Sequence, residues 1–559
     1  MAFTYDETRD NETLRLLTPA IDAFIAQCQT PLNPESPCPR QTVFFFPGGI
    51  ASQLTRATTK FIDGVAAAQV FAYVPIWVTL ETPMGGARDL KMHRDGTGTF
   101  RDTGDRIIVA DAALGFGGCT PHDGLIAWCA GHNADLFVFP WDWRRRLDET
   151  VKFFVAKFLP FFRARVQNAG CPDPLARFAL VGHSFGGMIA NLILRGNDPI
   201  VATMTHVITV GTPFYGYSGQ VHRWFEGEPF LNFFGVFKQD MMETIASLPA
   251  LYTLHFLDEA TFNNATNLAA LAADEFAIPG YPSMDATTAT LRADPYNPQT
   301  NGGQVRYPTL TGFDRAELDY ARLQFQQLAS PMDPGLLQKF YNIRGVRTED
   351  DDETPVSTTV GCVTWDWIPT NFDASDTSPI VDGAPVPGDD TQPAWSARLA
   401  TNAARTVTVK ASDIEHAFLM NHESVLTEIQ AILCPEGAEV SPSETPQPEP
   451  ASDDDVVEFL RWLSENRFRI THLTSFDDPE LQKLMPKRFT QKLPGIARRF
   501  ISDVMKRPGP KGLRGPEGDA GGREPRGPER RPPKAPSRQP AARKPAARRR
   551  PRKPRKRKR

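Results

Sequence analysis

Residues 178–192 read Phe178-Ala-Leu-Val-Gly182-His183-Ser184-Phe185-Gly186-Gly187-Met188-Ile189-Ala190-Asn191-Leu192. Four apolar residues predict a buried strand, and the small and apolar run after Gly186 predicts a helix. Between them stands Gly-x-Ser-x-Gly. A serine on a tight strand-to-helix turn needs neighbours without side chains, and Gly182 and Gly186 meet that need. The helix N-terminus beside the serine favours negative charge there. Ser184 is therefore the expected nucleophile, with the Phe185 N–H aimed at the oxyanion.

Outward from this turn, the chain alternates strands and helices. Short apolar runs at Thr42–Phe46, Leu136–Phe139, Phe178–Val181, His206–Val210, Phe340–Val346 and Val407–Val409 read as parallel strands. Helical stretches lie between several of them, for example 149–166 and 187–194. Continuous apolar strands with helices between them predict a parallel sheet covered on both faces. About 130 residues separate the strands near 210 and 340, too many for a structureless loop, so 213–338 reads as an inserted cap.

A serine hydroxyl is a poor nucleophile without a base and an orienting carboxylate. In this kind of sheet the acid and then the histidine follow the serine. Gly388-Asp389-Asp390-Thr391 follows the late strand, and Ser412-Asp-Ile-Glu-His416 follows the last one. Asp389 is the expected acid, with Asp390 its competitor. His416 is the expected base, preferred over His422 in the next helix and His472 far downstream. Phe46-Pro-Gly-Gly49-Ile follows the first core strand and supplies Gly49 as the second oxyanion donor. Aspartate-nucleophile hydrolases are excluded by Ser184. No His-x-x-x-His, Cys-x-x-Cys or P-loop pattern occurs, so no metal and no cofactor are expected.

These segments resemble the lecithin:cholesterol acyltransferase-like α/β-hydrolases, in their bacterial lipase and acyltransferase forms. Phe46-Pro-Gly-Gly-Ile-Ala-Ser-Gln-Leu54 is similar to that family's first motif, and Phe139-Pro-Trp-Asp-Trp-Arg144 to its Tyr-Asp-Trp-Arg signature. Val210-Gly-Thr-Pro-Phe-Tyr-Gly216, Ser247-Leu-Pro-Ala-Leu, Gly-Asp-Asp-Thr at 388–391 and Glu-His at 415–416 continue the series in order. The resemblance spans roughly 41–435. It implies an α/β-hydrolase fold, mostly parallel with helices on both faces and a large helical cap. It implies Ser184, Asp389 and His416 as the catalytic set and Gly49 and Phe185 as the oxyanion donors. The activity implied is a serine ester hydrolase or O-acyltransferase, lipase- or phospholipase-like, working through an acyl-enzyme. The sequence departs at Trp141, at Ala51 in place of a glycine and at Gln392 where many members have valine. Asp142 and Arg144 read as a partly buried ion pair under the site. Phe233, Phe234 and Phe237, in the cap, are the expected substrate contacts of a lipid-touching lid.

The chain has 559 residues, 41% hydrophobic and 23% charged, enough to bury a sizeable core. Its net charge of −4 conceals two unlike parts. Residues 511–559 hold 20 basic and 4 acidic residues, a net of +16, and the other 510 carry −20. The expected organisation is an N-terminal helical segment (1–40), a catalytic domain (41–435), a linker (436–455), a helical appendix (456–507) and a disordered basic tail (508–559). No run of 18 apolar residues predicts a membrane span. Residues 1–10 are polar and acidic, so no secretory leader is expected. Seven scattered cysteines read as reduced thiols in a cytoplasmic protein. The tail is expected either to fold back loosely on the −20 body and bind nothing or to reach an anionic membrane surface, placing the protein peripherally there, in preference to nucleic acid. The alternative function is a non-catalytic hydrolase-fold module held on nucleic acid by that tail.

Overall fold

The computed structural model describes residues 5–61, 69–77, 89–216, 243–276, 314–365, 380–435, 448–470 and 479–505. Short gaps interrupt these blocks at 35, 37, 96–98, 103–105, 115–118, 197, 255–258, 265–268, 270–272, 350–353, 356–358, 361–362, 383–384 and 400–404. Phe233, Phe234, Phe237, His472 and the 508–559 tail lie outside the described residues, as do the 436–447 part of the linker and Cys362.

Helix α1 (Tyr5–Gln29) leads into strand β1 (Gln41–Phe46). Strands β2 (Ser52–Phe61), β3 (Gln69–Trp77) and β4 (Arg106–Ala113) follow. Then come α2 (Asp123–Gly131) and β5 (Ala134–Val138). Helix α3 (Leu147–Phe153) runs through a π-helical stretch, Phe154–Phe158, into α4 (Leu159–Asn168). Strand β6 (Phe178–His183), helix α5 (Phe185–Arg195) and strand β7 (Met204–Val210) form the centre. Within 213–338 the longest described helix is α6 (Arg315–Ala329), its first N–H groups capped by the Asp314 carboxylate. Strands β8 (Phe340–Arg347) and β9 (Thr406–Ala411) precede α7 (Glu423–Leu433). Helices α8 (Asp453–Ile470), α9 (Pro479–Leu484) and α10 (Lys487–Met505) close the described chain.

Six strands make one sheet in the order β9-β8-β7-β6-β1-β5, and every pairing in it is parallel. All six are the runs expected from the sequence. Strand alternation divides β1 between two cores. Phe44 and Phe46 join the core under α1, α4 and α5, while Val43 and Phe45 join the core under α2 and α7. A sheet buried on both faces needs such uninterrupted apolar strands. This is an α/β-hydrolase-type fold, with its helices on both faces.

The phenylalanine excess finds its use here. Phe24, Phe44, Phe137, Phe154, Phe158, Phe162 and Phe178 meet mostly edge-on or tilted, with centroids 4.8–6.3 Å apart, and Phe154 stacks on Phe158 at 5.5 Å. Aromatic pairs prefer edge-on and offset geometries over a face-to-face sandwich. They fill the gap between β1, β5, β6 and the long α3–α4 helix.

Three features differ from the expectations. Strands β2, β3 and β4 form a separate antiparallel sheet that the apolar-run reading does not register. Strand β2, Ser-Gln-Leu-Thr-Arg-Ala-Thr-Thr-Lys-Phe, is mostly polar and holds no continuous apolar run, so a reading built on such runs passes over it. Within the cap segment, Met241–Phe256 reads from its sequence as one helix, but it is broken in its described part, where Pro249 opens a new short helix, Pro249–Tyr252. Finally, Cys38 and Cys434 form a disulfide with Cα atoms 5.3 Å apart, which corrects the expectation that all thiols are reduced. Their 396-residue separation hides the pairing from any spacing rule. The bond ties the segment entering β1 to the end of α7.

Helices α8–α10 share the main core, through Val456, Phe459, Leu460, Leu463, Phe489, Leu493, Ile496 and Phe500. Interhelical pairs Arg488–Glu458, Lys492–Asp455 and Arg499–Asp453 join α10 to α8. The chain divides at 515/516, and all described residues lie in the first unit.

Candidate active site

The turn from β6 into α5 carries Ser184 at φ 52° and ψ −123°. A non-glycine residue at positive φ is uncommon and costs on the order of 1–3 kcal/mol, so the surroundings must hold it. They do. Ser184 donates its N–H to Val210 O at 2.7 Å, and Gly187 N–H donates to Ser184 O at 3.0 Å. A Cβ on Gly186 would stand 2.1 Å from Phe46 O, and one on Gly182 would stand 2.6 Å from Gly186 O. The two glycines of Gly-x-Ser-x-Gly are thus demanded by backbone contact with β1 and within the turn itself.

His416 opens a 3-10 turn, His416–Asn421, just past β9. Its Nε2 lies 2.8 Å from Ser184 Oγ and its Nδ1 lies 2.7 Å from Asp389 Oδ2. With the ring proton on Nδ1, His416 donates to Asp389 and accepts from the Ser184 hydroxyl. Asp389 is 1% exposed, and its Oδ1 accepts from the backbone N–H of Gln392 at 2.6 Å and Thr391 at 3.2 Å. Every oxygen of that carboxylate therefore has a partner, as burial of a charge requires. Ser184, His416 and Asp389 come together across 232 and 27 residues of separation.

The competing residues go elsewhere. Asp390 sits at φ 71° and pairs with Arg347 at 2.5 Å. His422 precedes α7 and its Nε2 meets Asp413 at 3.1 Å. His183, beside the serine, points beneath the site and donates Nε2–H to His416 O at 2.8 Å. Burial, then the nearby His416, holds the His183 pKa well below the ordinary 6.5, so the ring stays neutral and structural.

Gly48 and Gly49 lie against the elbow. A Cβ on Gly48 would be 3.2 Å from Ser184 Cβ, and one on Gly49 would be 3.0 Å from the Phe185 ring. Phe185 begins α5, where the first N–H groups have no acceptor within the helix. Two tryptophans brace the Gly48–Gly49 loop. Trp141 Nε1–H donates to Pro47 O at 2.9 Å, and Trp143 Nε1–H donates to Ser52 O at 3.2 Å. The indole at 141, where the related motif has tyrosine, thus has a specific acceptor.

Arg144 is fully buried between Asp142 and Asp102, each 2.7 Å away. Burial works against its charge, but the two carboxylates outweigh it and hold the guanidinium pKa above its usual value. The Asp142–Arg144 pair is present as expected, while Asp102 is a partner that only the fold supplies. A second buried pair fastens part of the 213–338 segment. Asp274 meets Arg344 of β8 at 2.9 Å and also Arg398. Burial opposes that charge too, yet the two arginines keep the Asp274 carboxyl below its ordinary range.

Gly211 is a site residue that motif reading passes over. It ends β7 at φ 57°, and a Cβ there would lie 3.2 Å from Asp389 Oδ2 and 3.3 Å from His416 Cε1. Any side chain would enter the space between acid and histidine. In sequence it is the glycine directly after an apolar strand, inside the Val210–Gly216 segment, and neither context gives it a role. Among the described residues no group of histidine, cysteine and carboxylate side chains is arranged to hold a metal. No helix among them is long and apolar enough to cross a membrane.

No protein-family profile and no curated protein sequence matches this chain. Among solved structures it is similar to a chain of the Tle4–Tli4 complex, determined by crystallography. The identity is 13% and the TM-score 0.40, over 71% of this chain and 98% of that one.

Proposed function

We propose that this protein is a serine carboxylic-ester hydrolase or O-acyltransferase that works through an acyl-enzyme on Ser184. The observation that carries the reading is the unbroken relay Ser184 Oγ to His416 Nε2 (2.8 Å) and His416 Nδ1 to Asp389 (2.7 Å), mounted on a strained elbow. In the proposed mechanism Ser184 Oγ attacks the ester carbonyl carbon while His416 Nε2 takes its proton. Asp389 holds the ring in the required tautomer and stabilises the imidazolium. The Gly49 and Phe185 N–H groups and the α5 N-terminus receive the charge on the carbonyl oxygen. Collapse breaks the ester C–O bond, and the imidazolium proton leaves with the alcohol. Water or a second alcohol, deprotonated by His416, then releases the acyl group.

The resemblance to lecithin:cholesterol acyltransferase-like hydrolases favours a lipid ester as acyl donor. Phe233, Phe234 and Phe237 of the cap are proposed to contact its chain. The +16 tail is proposed to bring the enzyme to an anionic membrane surface. The Cys38–Cys434 bond favours an oxidising compartment over the cytoplasm. A non-catalytic module docked on nucleic acid would have no use for a serine held at φ 52° in front of a histidine.

The test is labelling with a fluorophosphonate and mapping of the adduct. The adduct should fall on Ser184, and Ser184→Ala should abolish both adduct and ester turnover in a folded protein. An active, folded Ser184→Ala would end the reading.

A further inference from the structure

The turn that carries His416 is gripped from outside by a helix far along the chain. Arg498 of α10 donates Nη2–H to Glu415 Oε2 at 3.3 Å and Nη1–H to Pro448 O at 3.0 Å. Its guanidinium carbon lies 5.2 Å from the centroid of the Phe418 ring. Glu415 and Phe418 stand one residue before and two residues after His416, and Phe418 N–H donates to Glu415 O at 2.9 Å. Arg498 and Glu415 are only 17% and 16% exposed, so solvent screens their pair weakly.

The inner side of the same turn is fastened to the sheet. His416 N–H donates to Asp389 O at 2.9 Å, and His183 donates to His416 O at 2.8 Å. These bonds fix the backbone at His416 from below. The far end of the turn is held as well, where Asn421 accepts from Gly124 N–H at 2.8 Å and donates to Thr120 O at 2.9 Å. Arg498 holds its near end, with one arm on the side chain before His416, one on the 448 carbonyl and its flat face against Phe418. Helix α10 is itself immobilised, with Ile496, Ala497, Phe500 and Ile501 buried in the main core and Gly495 O accepting from Ala451 N–H at 3.0 Å.

We propose that Arg498 is a positioning residue that sets the angle of the His416 imidazole toward Ser184 through Glu415 and Phe418. This rests on the reading of His416 as the catalytic base. It gives the 456–507 appendix a part in the reaction through Arg498, which itself touches none of the reacting atoms. The physical basis is the steep dependence of proton transfer on geometry, where a small misplacement far from the chemistry lowers the rate of the chemical step. Arginine is needed because a planar fork satisfies two acceptors at once, and an ammonium offers only a point charge.

The experiment uses the full-length chain as wild type, Arg498→Ala, Arg498→Lys and Arg488→Ala. Arg488 is the control, since it lies on the same helix as Arg498 but pairs with Glu458 of α8. With a short-chain p-nitrophenyl ester, Arg498→Ala should lower kcat about tenfold and leave KM within about twofold, a loss in the chemical step. Arg498→Lys should recover part of that loss, and Arg488→Ala should match wild type. Independently of turnover, the His416 ring resonance in 13C-histidine-labelled protein, assigned with His416→Gln, should shift or broaden in Arg498→Ala only. A His416 resonance that coincides with wild type in Arg498→Ala overturns the proposal, whatever the rates do. Absence of a fluorophosphonate adduct on wild-type Ser184 overturns the catalytic reading instead, and the resonance still decides the positioning.

Discussion

His416 and Asp389 hold each other twice, by main chain and by side chain. His416 N–H donates to Asp389 O at 2.9 Å, and the ring Nδ1 meets Asp389 Oδ2 at 2.7 Å. The backbone bond fixes the distance between two loops that leave β8 and β9, and the side-chain bond uses that distance to orient the ring. The carboxylate cannot swing away, because the Thr391 and Gln392 N–H groups bind its other oxygen.

That double hold separates the candidate residues from their neighbours. His416→Ala and Asp389→Asn should each lower ester kcat/KM by about 10³-fold or more, because such groups act as a unit. His422→Ala and Asp390→Asn should stay within about threefold of wild type. Steady-state rates on a soluble ester check this, and the reverse ranking within either pair would overturn the assignment.

The Cys38–Cys434 bond should be found in the purified protein. Alkylation of the denatured, unreduced chain should leave both residues unmodified, and prior reduction should expose both to the reagent. Cys38→Ser with Cys434→Ser should lower stability by about 2–4 kcal/mol, since the cross-link closes a very long loop. Peptide mass mapping and urea unfolding measure the two effects. Full alkylation without reductant would refute the pairing.

Two buried histidines predict a loss of stability in mild acid. Burial lowers the His122 pKa from 6.5 to about 4 and holds His183 well below 6.5. The unfolded chain takes up protons near pH 6.5 that the folded chain refuses. Stability is therefore full above that pH and falls as the pH drops toward 4. For His122 alone the total is about 3 kcal/mol, as a drop from 6.5 to about 4 implies. Urea midpoints between pH 7 and 4.5 should decline less steeply for His122→Leu than for wild type. Parallel slopes would show that His122 is not held neutral.

Substrate size should be governed by the cap. Replacing Phe233, Phe234 and Phe237 with serine should shift preference from long toward short acyl chains, with rates of labelling by a small fluorophosphonate within about twofold of wild type. Equal losses in both assays would assign these side chains to structure instead of substrate.

Deleting 508–559 should leave turnover of a soluble short-chain ester unchanged. It should weaken co-sedimentation with vesicles containing anionic lipid at low salt, and high salt should abolish binding of the full chain as well. Unchanged co-sedimentation after the deletion would rule out a membrane role for the tail.

Local sequence was sufficient for the six strands of the parallel sheet and for the elbow, because both are short-range in their causes. A largely apolar run of three to seven residues is best buried wherever it lies. A serine between two glycines after such a run has few conformations open to it. His416 and Asp389 were legible as candidates through chain order, since the acid and the histidine must follow the serine strand in a parallel sheet of this winding. Tertiary structure alone separated Asp389 from Asp390, because adjacent carboxylates differ only in where the loop turns them: one toward His416, the other at φ 71° toward Arg347. It alone joined Cys38 to Cys434 and Arg144 to Asp102, and laid Arg498 against Glu415. Each of those contacts spans tens to hundreds of residues. Proximity at that range is set by how the helices settle on the two faces of the sheet, and no spacing along the chain encodes it.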